Sequence, residues 1–295
     1  MTAKIIDGKA VAQAVRLDCK RRVDALKQRF GRAPGLAVVM VGDNPASTVY
    51  VRNKIRACND VGIRSERIVF PATANEEEVV GTIAGLCANP MVDGILVQLP
   101  LPKDFSIERV LGAIDAEKDV DGFHLYNVGG LVVGNTVFPP CTPYGVMKLL
   151  AHEGIEVAGK NAVVVGASNI VGKPMALMLM QREATVSICH ARTTDLAQYT
   201  ILADILVVAA GRPNLILQQM VKTGAVVIDV GINRLENGRL VGDCDFEGVS
   251  KKASYLTPVP GGVGPMTVTM LLVNTINSAE RSLSRTASQM VGASV

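Results

Sequence analysis

The chain has 295 residues, 48% of them hydrophobic, enough to bury a sizeable core and too many for a disordered chain. Its 30 Lys and Arg against 27 Asp and Glu leave a formal charge of +3, a balance that points to neither nucleic acid nor a membrane surface as partner. No run approaches the roughly 20 consecutive apolar residues of a membrane span, and an aromatic share of 4% is thin for stacking on single-stranded nucleic acid.

At roughly 150 residues per domain the length suggests two domains. The start, Met1 to Gly8, lacks the apolar stretch of a signal peptide. Cys19, Cys58, Cys87, Cys141, Cys189 and Cys244 form no Cys-x-x-Cys and no zinc-finger spacing. They read as reduced, mostly buried thiols of a cytoplasmic protein, with no metal site.

In chain order, Val11, Val15, Cys19, Val23, Leu26 and Phe30 recur with helical period and predict an opening helix. Gly35 to Val41 is a continuous apolar run, the pattern of a buried parallel strand. Asn44-Pro45 starts the next helix and Gly62 stops it. A strand over Arg64 to Phe70 precedes a helix from Asn75 to Ala88, capped by Asn75 with Glu78. Gly94 to Leu99 is the next buried strand, and Ser106 to Ile114 a short helix. From Ala116 to Pro140 the periodicity fades, and long loops of that kind are commonly functional or disordered. Thr142-Pro143 starts a helix that ends at Gly154 and carries the domain junction.

The second half alternates. Strands are expected at Ala162–Val165, Thr185–Cys189, Ile205–Ala209 and Ala225–Val230, with helices near Val171–Gln181, Asp195–Ile201 and Leu217–Lys222. Such alternation predicts a parallel sheet covered on both faces. A last helix runs from about Met266 to Leu283, and the tail after Ser284 is expected to fray.

Two features carry chemistry. Val163 to Gly172 reads as strand, tight turn and helix start, where small residues let backbone N–H groups approach a pyrophosphate. With Ser168 in place of a second glycine, an ordinary βα turn fits this segment as well. At the end of the next strand, Cys189-His190-Ala191-Arg192 offers no acid for the ribose hydroxyls and one arginine. A guanidinium there suits the 2′-phosphate of NADP, although a solvated surface arginine is the commoner fate; His190 reads as a half-buried strand-end residue. The second feature is Ser47, Tyr50 and Lys54, at i, i+3 and i+7 on one helical face, together with Gln98, a lone amide at the carboxyl end of an apolar strand. Taken alone, the first three more commonly form a water-facing polar stripe. Asp119 and Asp121 bracket a valine in the long loop and fit a turn.

The chain resembles the bifunctional methylenetetrahydrofolate dehydrogenase/cyclohydrolase family from about Gly8 to Ala279. The resemblance rests on Val41-Gly-Asp-Asn-Pro-Ala-Ser-Thr-Val-Tyr50-Val-Arg-Asn-Lys54, Gly94-Ile-Leu-Val-Gln98-Leu-Pro-Leu-Pro102, Lys118-Asp-Val-Asp121-Gly122 and Pro140-Cys-Thr-Pro143. Gly166-Ala-Ser-Asn-Ile-Val-Gly172-Lys-Pro174 and Thr257-Pro-Val-Pro-Gly-Gly-Val-Gly-Pro-Met-Thr267 complete it.

The resemblance implies two α/β domains with a cleft between them. Residues 1–145, completed by a helix at about 266–284, are the folate-binding catalytic domain with a parallel sheet. Residues 146–265 are a Rossmann-like dinucleotide-binding domain. It implies oxidation of 5,10-methylenetetrahydrofolate and hydrolysis of the methenyl product to 10-formyltetrahydrofolate. Lys54 is then the acid/base residue, its amine uncharged part of the time, with Gln98 holding it. Tyr50 stacks on the folate ring, Asp121 accepts the pterin N–H groups and Ser47 is a supporting contact. Val263, Gly264 and Pro265 border the folate by close backbone approach. Gly166, Ala167, Ser168 and Ile232 line the dinucleotide. The family has Arg where this chain has Ala167, so NAD stands beside NADP as cofactor, and Arg192 is the residue available to compensate. Partners are tetrahydrofolate derivatives and a second copy in a homodimer. The competing expectations are a dehydrogenase without the hydrolase and a dinucleotide-binding module without catalysis; the Lys54, Gln98 and Asp121 set argues against both.

Overall fold

The computed structural model describes residues 2–292. The chain forms two compact units, Met1–Gln13 with Thr142–Thr267, and Ala14–Cys141 with Val268–Val295. The unit boundaries fall within α1 (Gly8–Phe30), α6 (Cys141–His152) and α10 (Val263–Gly292), the helices that carry the chain from one unit into the other.

The unit holding residues 14–141 is built on β2 (Gly35–Val41), β3 (Arg64–Phe70) and β4 (Gly94–Val97), a parallel sheet in the order β3-β2-β4. Every residue of β2 and β4 is buried, which is why both read as unbroken apolar runs. The crossovers are α2 (Pro45–Val61) and α3 (Glu76–Ala88), followed by α4 (Ile107–Gly112). Asn75 caps α3 by accepting the Glu77 N–H at 3.1 Å, and Ser106 caps α4 by accepting that of Arg109 at 3.2 Å. Val39, Val97, Ile83, Leu86 and Val110 fill one core cluster between this sheet and α3 and α4.

The stretch expected to be loop contains a helix, α5 (Leu125–Val133). Periodicity missed it because its outward residues are apolar: Leu125, Tyr126, Val132 and Val133 are all exposed. What organises the segment is Asp119. Its carboxylate accepts the N–H groups of Gly122 at 3.2 Å and His124 at 2.7 Å, and the Asn127 amide at 2.8 Å.

The other unit holds β5 (Asn161–Val165), α7 (Gly172–Met180), β6 (Thr185–Cys189), α8 (Leu196–Thr200), β7 (Ile205–Val208) and β8 (Val226–Asp229). A small antiparallel pair follows, β9 (Asn233–Arg234) with β10 (Leu240–Val241), then α9 (Phe246–Ser250) and β11 (Tyr255–Leu256). The main sheet has six parallel strands in the order β1-β11-β8-β7-β5-β6.

Its edge strand β1 (Lys4–Ile5) departs from the expected division of the chain. Residues 1–13 group with the dinucleotide half because β1 pairs in parallel with β11, Ile5 against Leu256. The expected helix at Leu217–Lys222 is one 3₁₀ turn, Gln218–Met220, because its N–H groups reach back only three residues before the chain turns again. The last helix begins at Val263 and continues to Gly292, where fraying was expected. Among the described residues, no helix is long and apolar enough to cross a membrane.

Two buried acids generate predictions. Asp93 accepts both guanidinium nitrogens of Arg32, at 2.7 and 2.8 Å, and the Gly35 N–H at 2.8 Å. Asp93→Ala removes the arginine's carboxylate partner, leaving it one long bond to Ala33 O at 3.4 Å, and leaves the first N–H of β2 without its acceptor. Urea unfolding should show a loss of about 3 kcal/mol or more. Asp229, at the end of β8, has its carboxyl pushed up from the ordinary 3.8 to about 6, chiefly by burial and against the pull of the Asp243 and Cys244 N–H groups. The folded chain therefore holds more protons than the unfolded one between those values, and this group's contribution to stability falls as pH rises through them. Relative to Asp229→Asn, the wild type should lose about 3 kcal/mol between pH ~3 and ~7. A stability difference that does not change with pH would refute this assignment.

Candidate active site

Three elements converge at the carboxyl end of the three-stranded sheet. The first is the opening turn of α2. Asn44 sets its direction, its Oδ1 accepting the Ser47 N–H at 3.2 Å and its carbonyl the Thr48 N–H at 3.0 Å. Along one face follow Ser47, Tyr50 and Lys54. Ser47 and Lys54 are buried, at 5% and 8% exposure, while Tyr50 is 39% exposed. The face is therefore not a water-facing stripe: the lysine lies inward and the ring is left accessible.

The second element is the end of β4. The strand stops at Val97, and Gln98 makes one further ladder bond, its N–H donating to Val39 O at 2.8 Å. Its side chain is held at both ends. Nε2 donates to Leu99 O at 2.7 Å, and Oε1 accepts from Lys54 Nζ at 3.1 Å. The amine fixes the sense of the amide, since the reverse would set two donors face to face.

The third element is the loop around Asp121, near enough to the Lys54 amine to feel its charge. Burial pushes the Asp121 carboxyl up; Lys54 opposes that shift, Asp119 adds to it, and the neighbouring Cys141 thiol, which donates to Val120 O at 3.3 Å, opposes it. Burial and the Asp121 charge hold the Cys141 thiol well above its ordinary range, so it serves as a protonated donor. Burial also raises the Tyr50 hydroxyl. Asn274 fixes this loop from α10, donating to Val120 O at 2.9 Å and Pro139 O at 3.1 Å. It was not singled out in the sequence, yet its signal is the one that marked Gln98: a lone amide in an apolar run, Met270 to Thr275.

The dinucleotide residues lie in the other unit. The turn after β5 has room for hydrogen only. Gly166 sits at φ +121°, and a Cβ there would come within 2.2 Å of Ala209 O; one on Gly172 would come within 1.9 Å of Gly166 O. Ser168 caps α7, its Oγ accepting the Val171 and Gly172 N–H groups at 3.2 and 3.3 Å. This tight, donor-rich turn at a helix start fits a pyrophosphate. Ala167 is half-buried, and Arg192 is exposed in the turn after β6.

That turn is closed by Arg192 N–H donating to His190 Nδ1 at 3.2 Å and His190 N–H donating to Thr193 Oγ1 at 2.9 Å. His190 is thus an exposed turn residue, not the half-buried one expected, because its ring accepts from the backbone of its own turn. Ile232 is 43% exposed. It neighbours Gly264, where an added Cβ would lie 3.7 Å from its Cδ1. Val263, Gly264 and Pro265 form the first turn of α10 in this unit. The structure thus groups Ser47, Tyr50, Lys54, Gln98 and Asp121 in one unit, and the remaining site residues in the other.

Comparison with known proteins agrees with both halves. Residues 6–121 match the family model of the tetrahydrofolate dehydrogenase/cyclohydrolase catalytic domain, and residues 140–283 that of its NAD(P)-binding domain. The chain is 61% identical to the bifunctional protein FolD of Nitrosospira multiformis over 97% of its own length and 99% of the relative's. It superposes on the crystal structure of the bifunctional enzyme FolD from Campylobacter jejuni with a TM-score of 0.93 and 51% identity, covering 95% of this chain and 99% of that one. The Trypanosoma brucei methylenetetrahydrofolate dehydrogenase-cyclohydrolase, solved with NADP cofactor and inhibitor, also gives 0.93, at 40% identity over 96% of this chain and 99% of that one. The chain belongs to the tetrahydrofolate dehydrogenase/cyclohydrolase family.

Proposed function

We propose that this chain is a bifunctional enzyme of one-carbon folate metabolism. It oxidises 5,10-methylenetetrahydrofolate to the 5,10-methenyl cation with NADP and hydrolyses that cation to 10-formyltetrahydrofolate. The observation that carries the reading is the buried Lys54 amine, held at 3.1 Å by Gln98 beside Asp121 at the carboxyl end of a parallel sheet.

In the hydrolytic step water adds to the methenyl carbon, and Lys54 Nζ takes the proton that water sheds. The carbon–N5 bond then breaks as the amine returns its proton to N5, and the hydroxyl proton leaves as the formyl carbonyl forms, taken up by the freed amine and passed to solvent, so that one proton is released for each cation hydrolysed. One group serves as base and then acid, so it must stay in place while its charge changes. The Gln98 carbonyl oxygen accepts from either form of the amine and does not titrate itself. Tyr50 offers its accessible ring to the folate, and Asp121 accepts the pterin N–H groups. Ser47 supports the same face. Val263, Gly264 and Pro265 let backbone approach the ligand.

For the oxidation, the hydride acceptor is the nicotinamide of a dinucleotide that Gly166, Ala167, Ser168 and Ile232 would hold. With no arginine at position 167, the 2′-phosphate of NADP is assigned to Arg192. A second copy of the chain as dimer partner and a cytoplasmic setting go with this reading; among the described residues all six cysteines are free thiols.

The reading is tested by giving the purified protein methylenetetrahydrofolate with each nicotinamide cofactor and following reduced cofactor and methenyl product. Formation of both, with decay of the methenyl band, is expected; methenyl product that accumulates undecayed would favour a dehydrogenase alone. Lys54→Met should slow methenyl hydrolysis by about 100-fold or more, the scale of a lost general acid/base. Full turnover in that variant would overturn the mechanism. Arg192→Ala should lower kcat/KM for NADP relative to NAD by about ten-fold, the scale of a lost charge-assisted contact. An unchanged ratio would remove Arg192 from the account.

A further inference from the structure

Strands β7 and β8 end side by side, Val208 opposite Asp229. Their exits are tied by one carboxylate that no step above uses. Asp243 follows β10 and is completely buried. Its Oδ2 accepts the N–H groups of Ala210 at 2.7 Å and Gly211 at 2.9 Å. Its Oδ1 accepts the Arg212 N–H at 2.9 Å and the Asn233 side-chain amide at 2.8 Å. Four donors fill the four lone-pair directions of the group. Asp229 in turn holds this segment, accepting the Asp243 N–H at 2.9 Å, the Cys244 N–H at 2.8 Å and the Gly231 N–H at 3.1 Å. Glycine at 231 is required by the same packing: a Cβ there would lie 2.1 Å from Asp243 Oδ1.

The first tied segment borders the dinucleotide turn, and the second carries Ile232, a residue assigned above to the dinucleotide. Ala209, one residue before the first clamped N–H, presents the carbonyl that would meet a Cβ on Gly166 at 2.2 Å. Its own N–H bonds Val165 O at 2.7 Å. Ile232 stands between Gly231, packed on the carboxylate, and Asn233, bonded to it. We propose that Asp243 is a positioning residue for the dinucleotide, fixing the Ala210–Arg212 exit of β7 and the Gly231–Asn233 exit of β8 around the Gly166 turn. The inference rests on the function proposed above and deepens its cofactor half.

Asp243→Asn keeps the size of the side chain but leaves one accepting oxygen for four donors. NADPH binding is measured by fluorescence titration, and methenyltetrahydrofolate hydrolysis is measured without nucleotide. The Kd for NADPH and the KM for NADP should rise about ten-fold or more, the scale of lost hydrogen bonds to a charged group. Nucleotide-free hydrolysis should stay within about two-fold, because Lys54, Gln98 and Asp121, which carry it, belong to the other unit. Asn233→Ala removes one donor only and should raise Kd about three-fold; it carries the test if Asp243→Asn does not fold. An unchanged Kd in the variants that fold overturns the proposal. So does a loss of binding and hydrolysis in step with a falling Tm, which marks a purely structural role. A wild type that neither binds NADPH nor hydrolyses the cation would instead overturn the proposed function.

Discussion

The hydrogen bond from Lys54 to Gln98 is the interaction on which the catalytic unit depends. A buried lysine gives up water and on the order of 2 kcal/mol of rotamer freedom. It needs an acceptor that stays where it is. Gln98 meets that need because the β-ladder places it: its N–H continues the register in which Val39 lies opposite Val97. A slip of one residue would turn the amide to the opposite face and leave the amine without its acceptor. Two apolar strands thus determine where a proton can be exchanged.

Three carboxylates, two of them buried and one half-buried, divide into two kinds. Asp119 and Asp243 are already engaged by N–H donors, three on the first and four on the second. Such groups shape loops and have little accepting capacity left for a ligand. Asp121 is different. It lies two residues from Asp119 and feels the Lys54 charge, and the nearby Cys141 thiol donates to Val120 O at 3.3 Å. It retains room to accept more, as pterin recognition requires. Asp119 and Asn274 hold the loop so that Asp121 can serve a ligand.

Much of this was legible in the residues. β2 and β3 have the limits expected of them, since one is an unbroken apolar run and the other is bracketed by glycine and proline. Gln98 stood out as an amide in an apolar strand, and its partner is the lysine singled out with it. Spacing alone left Asp119 and Asp121 equal as turn residues; family resemblance separated them, and their different donor sets give the physical reason. Other features had no local signature. β1 is two residues long and exists through its pairing with a strand some 250 residues later. α5 exposes apolar side chains and so lacks the amphipathic period. Asp243 sits in Gly242-Asp-Cys-Asp-Phe246, which reads as an ordinary polar loop, because four donors from two separate segments become its partners only on folding.

The most direct test of the central claim replaces the amine and then restores it. Lys54→Cys should lose methenyl hydrolysis, and alkylation of the new thiol with bromoethylamine, which rebuilds a side chain of nearly the same length ending in an amine, should bring it back; identically treated wild type controls for the other thiols. Unmodified Lys54→Cys that hydrolyses at the wild-type rate, or alkylated protein that stays silent though folded and able to bind folate, would contradict the account.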